Sequence, residues 1–203
     1  MEIACLDLEG VLVPEVWINV AERTGISELL ATTRDIPNYD VLMRQRLSII
    51  KNHGLTLSDV QEVIGTLEPL DGAVGFLDWL RTRFQVVILS DTFYEFSTPL
   101  MSKLGWPVLF CNHLEIDGED RIVGYRLRQP DQKRQAIKAL HALDFRTIAA
   151  GDSYNDTTML AEADAGIFFR PPEDIARQFP RYPVTESYEE LRAEFRRMSI
   201  RTI

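Results

Sequence analysis

Cysteine is scarce in this chain: Cys5 and Cys111 are the only two among 203 residues. Two isolated cysteines make neither a disulfide framework nor a zinc-ligand cluster. Cys5 lies in an apolar run and reads as a small core residue. Histidine is equally sparse, and His53, His113 and His141 are scattered without ligand spacing. Basic charge is also short, with 22 Lys and Arg against 31 Asp and Glu, a net charge of −9. That argues against a nucleic acid or an anionic membrane as partner, since either requires a basic face. An anionic substrate stays open, because a bound metal and one or two cations can reverse the sign locally. No apolar run approaches the roughly 20 residues of a spanning helix. Met1-Glu2-Ile3 begins no basic region followed by a long apolar stretch, so no signal peptide and a soluble cytoplasmic protein are expected. Internal repeats and low-complexity segments are absent.

What is present begins with Cys5-Leu6-Asp7-Leu8-Glu9-Gly10-Val11. The short apolar run Ile3–Leu6 reads as a buried strand, and Gly10 permits a sharp turn just past it. In a parallel α/β sheet, ligands sit outside the carboxyl ends of the strands, which puts Asp7 at the active edge. Two acids this close repel each other unless positive charge intervenes. A divalent cation would remove that repulsion, and oxygen ligands suit Mg²⁺. A strand followed by a plain acidic turn remains the alternative at this point.

Pro14 then opens a helix over Glu15–Arg23, ending at Gly25. Residues 27–67 contain no convincing strand. A helix is predicted over Tyr39–Asn52, closed by Gly54, and a second runs to about Leu67, with Ser58 as its cap and Gln61 completing a capping box. From Pro69 and Gly72 onward, helices alternate with strands. The helices are Ala73–Arg83, Phe93–Leu104, Gln132–Leu143, Asp156–Ala163 and Tyr188–Met198. The strands are Gln85–Leu89, Val108–Cys111, Thr147–Ala150 and Gly166–Phe169, the last of the series. Residues 114–128 flank Asp117-Gly118 as a β-hairpin. This alternation predicts an α/β fold, a doubly wound, mostly parallel sheet with helices on both faces. The expected division is a core domain of residues 1–13 and 71–203, and a helical insertion over residues 14–70.

Polar groups follow the strands in order: Asp7 and Glu9, then Ser90 and Asp91, then Lys133 near a helix start, then Asp152, Asn155 and Asp156. Alone, Ser90 reads as a helix cap and Lys133 as a solvated charge. Together, in this order, they resemble the haloacid dehalogenase superfamily, and within it the phosphoserine phosphatases, including those that also act as homoserine phosphotransferases. The resemblance covers the whole chain and implies a Rossmann-like core with a helical cap inserted after the first motif. It implies Asp7 as the nucleophile that becomes an aspartyl-phosphate, and Glu9 as general acid and base. It implies Mg²⁺ held by Asp7, Asp152 and the Glu9 backbone carbonyl, with Asp156 orienting that site. Ser90, Asp91, Lys133 and Asn155 would surround the phosphate and substrate. Glu15 would meet the substrate ammonium and Arg46 its carboxylate, with Met43 walling the pocket. The implied substrates are O-phospho-L-serine and L-homoserine, which belong to serine and threonine biosynthesis, and a homodimer is an open expectation. Two departures stand out. Glu9 replaces the usual aspartate, and Asp91-Thr92 replaces the usual glycines after Ser90.

Overall fold

The structure is a computed structural model, and it describes residues 1–32, 35–36 and 38–201. Seven strands form one sheet in the order β4-β3-β2-β1-β5-β6-β7. In chain order they are β1 (Glu2–Leu6), β2 (Gln85–Phe93), β3 (Val108–Ile116), β4 (Ile122–Arg126), β5 (Arg146–Gly151), β6 (Ala165–Phe169) and β7 (Val184–Thr185). All pair in parallel except β4, which runs antiparallel to β3. The chain builds outward from β1 to β2 and β3, then returns to add β5 on the other side. The order therefore reverses between β1 and β5, and a crevice opens there at the carboxyl ends of the strands. The Asp7 N–H donates to the Ala150 carbonyl at 2.9 Å, which carries the β1–β5 pairing one residue into this crevice.

β1 is buried along its whole length, as expected of a central strand covered on both faces. Its side chains alternate. Ala4 and Leu6 join a core with Phe76, Leu191 and Phe195, from α4 (Ala73–Arg81) and α9 (Tyr188–Met198). Ile3 and Cys5 join the opposite core, with Ile137 of α6 (Gln132–Ala142) and Leu160 of α7 (Thr157–Glu162). Cys5 is thus the small core residue its neighbours suggested.

Between β1 and α4 the described chain is helical. It forms α1 (Val16–Thr24), a 3₁₀ turn (Ser27–Leu30), α2 (Tyr39–Asn52) and α3 (Leu57–Gly65). It leaves and rejoins the core at adjacent points, where the Leu70 N–H donates to the Leu12 carbonyl at 2.9 Å.

Four local expectations change. β2 runs past Leu89 to Phe93 through an irregular stretch, so Ser90, Asp91 and Thr92 lie within the strand and not after it, and the next helix starts at Tyr94 instead of Phe93. The cap of α3 is Thr56, not Ser58: Thr56 and Asp59 exchange side-chain-to-backbone bonds, and the Ser58 N–H is taken by Asp120 at 2.9 Å. β3 runs unbroken from Val108 to Ile116, so the hairpin is β3 itself turning into β4. The sheet does not end at β6. The two-residue β7 pairs beside it, too short to register as periodicity. The remaining helices are α5 (Tyr94–Lys103) and α8 (Glu173–Gln178).

Ser199 and Ile200, past α9, lie against the start of β1. Glu2 is 1% exposed and accepts from Arg146 at 2.7 Å, the Ser199 hydroxyl at 2.5 Å and the Ile200 N–H at 3.1 Å. Burial works to raise its pKa, but these donors outweigh burial and hold it below the ordinary value of 4.5. A depressed carboxylate stabilises the fold above the unfolded-state pKa and loses that contribution as pH falls through the folded-state value. The Glu2→Gln variant should therefore be about 2 kcal/mol less stable in urea unfolding at pH 7. The gap between variant and parent should narrow below pH 4.5. A gap that stays constant down to about pH 3 would contradict this account.

Candidate active site

At the end of β1 the backbone folds back on itself. The Leu12 and Val13 N–H groups both donate to the Leu8 carbonyl, at 2.8 and 3.0 Å. Gly10 sits at φ +76°, and a Cβ there would lie 2.4 Å from an Asp152 carboxylate oxygen. A side chain at this position would thus be strained and would also displace Asp152. Gly151, the last residue of β5, also leaves room for an acid, since its Cβ would lie 2.3 Å from the Asp156 carboxyl carbon. Two glycines therefore make room for two of the acids.

Lys133, on the first turn of α6 and 4% exposed, ties the acids together. Its ammonium lies 2.9 Å from Asp7 Oδ1, 2.8 Å from Asp156 Oδ1 and 3.6 Å from Asp91 Oδ2. Burial would lower its pKa, but Asp156, Asp7 and Asp91 more than offset this and hold it well above the ordinary lysine value. Asp156, fully buried, spends its other oxygen on the Asp152 and Ser153 N–H groups at 3.0 and 3.1 Å, and on the Ser153 hydroxyl. It thereby fixes the loop that carries Asp152.

One cation does not neutralise this many carboxylates. Burial raises the pKa of Asp7 well above the ordinary value, helped by the charges of Asp156 and Asp152 and opposed by Lys133. Asp152 is pushed up to about 8 by burial, then by Asp156 and Glu15. Glu9 is pushed up to about 7 by burial, then by Glu15. The Val16 N–H, the Thr92 hydroxyl and Arg46 act against that rise.

These groups line a cavity of about 280 Å³, together with Glu15, Arg46, Ser90, Asp91 and Asn155. Asp156, which lies behind Lys133, completes the set of site residues expected from the sequence. Ser90 is 2% exposed and its hydroxyl accepts the Thr92 N–H at 3.2 Å. Asp91 accepts from Gln132 at 3.0 Å. Arg46 is 8% exposed. It stacks 4.6 Å over the Trp17 ring and donates to the Ala31 carbonyl at 2.9 Å. Its Nε is buried without a partner among the described residues. Met43 corrects one expectation: it is fully buried beneath the guanidinium and does not line the cavity. Trp17, Tyr39 and Thr92 do line it. Nothing in their spacing marked them, because each arrives from a different element.

The profile of the haloacid dehalogenase-like hydrolases matches residues 1–164. The chain belongs to this hydrolase family. It is 66% identical over 203 residues to a Pseudomonas aeruginosa protein described as phosphoserine phosphatase ThrH, spanning all of this chain and 99% of that protein. It is 63% identical to a phosphoserine phosphatase of Pseudomonas syringae pv. tomato, spanning all of this chain and 86% of the relative. Among solved structures it resembles a phospho-aspartyl intermediate analogue of phosphoserine phosphatase, with a TM-score of 0.78 and 20% identity. That likeness covers 95% of this chain and 97% of the other, and it shows a shared fold. No described helix of this hydrolase is long and apolar enough to cross a membrane.

The donor set fits a small, hard cation. Asp7, Asp152 and Asp156 bring carboxylate oxygens within 4.8 Å of one another; Asp156 spends both of its oxygens on Lys133 and the Asp152 loop, which leaves Asp7 and Asp152 as the carboxylates lining the cavity. All the donors are oxygen, as Mg²⁺ prefers, and the glycines at positions 10 and 151 keep the space beside the carboxylates clear. The buried ammonium makes a separate prediction. Lys133→Met should lower stability by about 3 kcal/mol in urea unfolding, because it strands buried carboxylates without a partner. A loss below about 1 kcal/mol would mean that solvent already compensates these charges.

Proposed function

We propose that this hydrolase is a Mg²⁺-dependent phosphoserine phosphatase that works through an aspartyl-phosphate on Asp7 and can also hand its phosphoryl group to L-homoserine. The observation that carries the reading is the buried Asp7–Lys133–Asp156 chain at one end of a cavity whose lining also includes Glu15 and Arg46. The full-length similarity to a protein described as phosphoserine phosphatase ThrH supports it.

In this reading residues 14–70 form a cap over a core of residues 1–13 and 71–203, hinged where Leu12 meets Leu70. Glu15 takes the substrate ammonium. Arg46 takes its carboxylate, with an unpartnered buried Nε ready to donate. Ser90, Asn155 and Lys133 receive the phosphate, and Asp91 holds Lys133 and Gln132 in place. The Asp7 carboxylate attacks phosphorus, a bond forms from its oxygen, and the bond to the serine oxygen breaks. Glu9 gives its proton to that leaving oxygen. It then takes a proton from the incoming water or alcohol, whose oxygen attacks phosphorus as the Asp7–phosphorus bond breaks. A carboxyl held near neutrality, as Glu9 is at about 7, suits both roles. The Asp7 and Asp152 carboxylates and the Glu9 carbonyl would hold Mg²⁺, which would supply positive charge against the phosphoryl oxygens. Asp156 orients Lys133 and the Asp152 loop rather than binding the metal, since both its oxygens are already engaged.

A phosphorus NMR time course with O-phospho-L-serine, Mg²⁺ and excess L-homoserine tests the reading. O-phosphohomoserine should appear beside inorganic phosphate. Inorganic phosphate alone would remove the transfer activity, and no change in signal would remove the substrate assignment. Asp7→Asn should abolish turnover of both kinds. Arg46→Ala should raise KM for O-phosphoserine by about ten- to a hundredfold, the value of a lost charge-assisted hydrogen bond. Turnover of p-nitrophenyl phosphate, which has no carboxylate, should be spared. An unchanged KM for O-phosphoserine would end the carboxylate assignment.

A further inference from the structure

Arg46 takes its polar and ring contacts from its own segment. Its guanidinium stacks over Trp17 of α1 and donates to the Ala31 carbonyl, and Met43, one turn back on α2, lies beneath it. Asp7, by contrast, follows the central strand of the sheet. The spacing between the two therefore depends on how α2 sits against the strands.

The first turn of α2 supplies that link. Tyr39, its opening residue, lines the catalytic cavity. The Tyr39 hydroxyl donates to the Asp91 carbonyl of β2 at 3.2 Å. Asp40, the next residue, accepts from the hydroxyl of Tyr125 on β4. The two tyrosine rings meet edge to face with centroids 6.2 Å apart, and Tyr125 meets Phe93 of β2 at the same separation. Among the described residues, these are the side-chain hydrogen bonds that join α2 to the sheet. One tyrosine reaches from helix to strand and the other from strand to helix, which makes a reciprocal clasp. Tyr39, Met43 and Arg46 follow at steps of four and three residues and so share one face of the helix. Clasp and guanidinium are thus two turns apart on one stiff element, about 10 Å along its axis. Tyr125 itself does not line the catalytic cavity.

We propose that Tyr125 is a positioning residue that sets substrate specificity. By holding the first turn of α2 against the sheet, it fixes the distance from Arg46 to Asp7. The site then selects phosphomonoesters whose carboxylate lies at the phosphoserine spacing. This rests on the reading of Arg46 as the carboxylate partner. A phosphomonoester that keeps the ammonium but lacks the carboxylate makes no use of Arg46 and does not feel the clasp.

Steady-state turnover of O-phosphoserine and O-phosphoethanolamine with Mg²⁺ tests this, because the two differ only by the carboxylate. Tyr125→Phe keeps the ring and removes the donor. It should raise KM for O-phosphoserine by about fivefold with kcat within about twofold, well inside the roughly hundredfold cost of a misplacement of about 1 Å. The kcat/KM for O-phosphoethanolamine should stay within about twofold of the parent and serves as the control for folded enzyme. Asp40→Ala removes the acceptor and should act on both substrates in the same way. In an Arg46→Ala background, Tyr125→Phe should change kcat/KM by less than about twofold, because both act on one contact. If Arg46→Ala raises KM for O-phosphoserine, the carboxylate reading stands. A parental KM in Tyr125→Phe, equal losses with both substrates, or additive effects in the cycle would then overturn the role of Tyr125 alone. A parental KM in Asp40→Ala would overturn the clasp in the same way. If Arg46→Ala leaves the preference for O-phosphoserine unchanged, the carboxylate reading falls and the proposal with it.

Discussion

The ammonium of Lys133 is the charge on which the rest of the site depends. It sits within 3 Å of two buried carboxylates and 3.6 Å from a third. Remove it in thought and Asp7 would have to take up a proton or leave the core, because an unpaired buried charge is costly. Place it there and the negative form of Asp7 gains a buried partner, at the end of the central strand. The same ammonium reaches Asp156, which holds the Asp152 loop by three further bonds. One side chain on one helix thus couples the ends of β1, β2 and β5.

This arrangement exists because the sheet reverses its order beside β1. Neighbouring strand ends then diverge, and loops from both sides can face one space. Gly10 and Gly151 let those loops approach more closely than a Cβ would permit. The helical segment between β1 and α4 adds the remaining wall, and with it Glu15 and Arg46. The two ends of that segment are joined by a backbone hydrogen bond between Leu12 and Leu70.

Much of the fold was legible because it rested on local rules. The apolar run at Ile3–Leu6, the β-branched run at Gln85–Leu89 and the helices between them follow from periodicity and local end signals. What escaped depended on distant partners. β7 has two residues and exists through β6, with the Phe168 N–H reaching the Pro183 carbonyl and the Arg170 N–H reaching the Thr185 carbonyl. The helix cap shifted from Ser58 to Thr56 because two capping patterns overlap there. Asp120, more than sixty positions away, occupies the Ser58 N–H and leaves Thr56 to pair with Asp59.

For the site, the sequence by itself determined which groups are available and in what order: a nucleophile candidate after the first strand, a hydroxyl in the last part of the second, a lysine at a helix start, and acids after a later strand. Chemistry of this kind is a matter of residue type and strand-end position, and both can be read along a line. Only the tertiary structure decided the charge states and the aim. The rise of Glu9 to about 7 and of Asp152 to about 8 comes first from burial and then from acids brought close by folding. The burial of Arg46 over Trp17 and the withdrawal of Met43 into the core belong to the same class. Desolvation and distance are properties of the packed chain, and linear spacing carries no record of either.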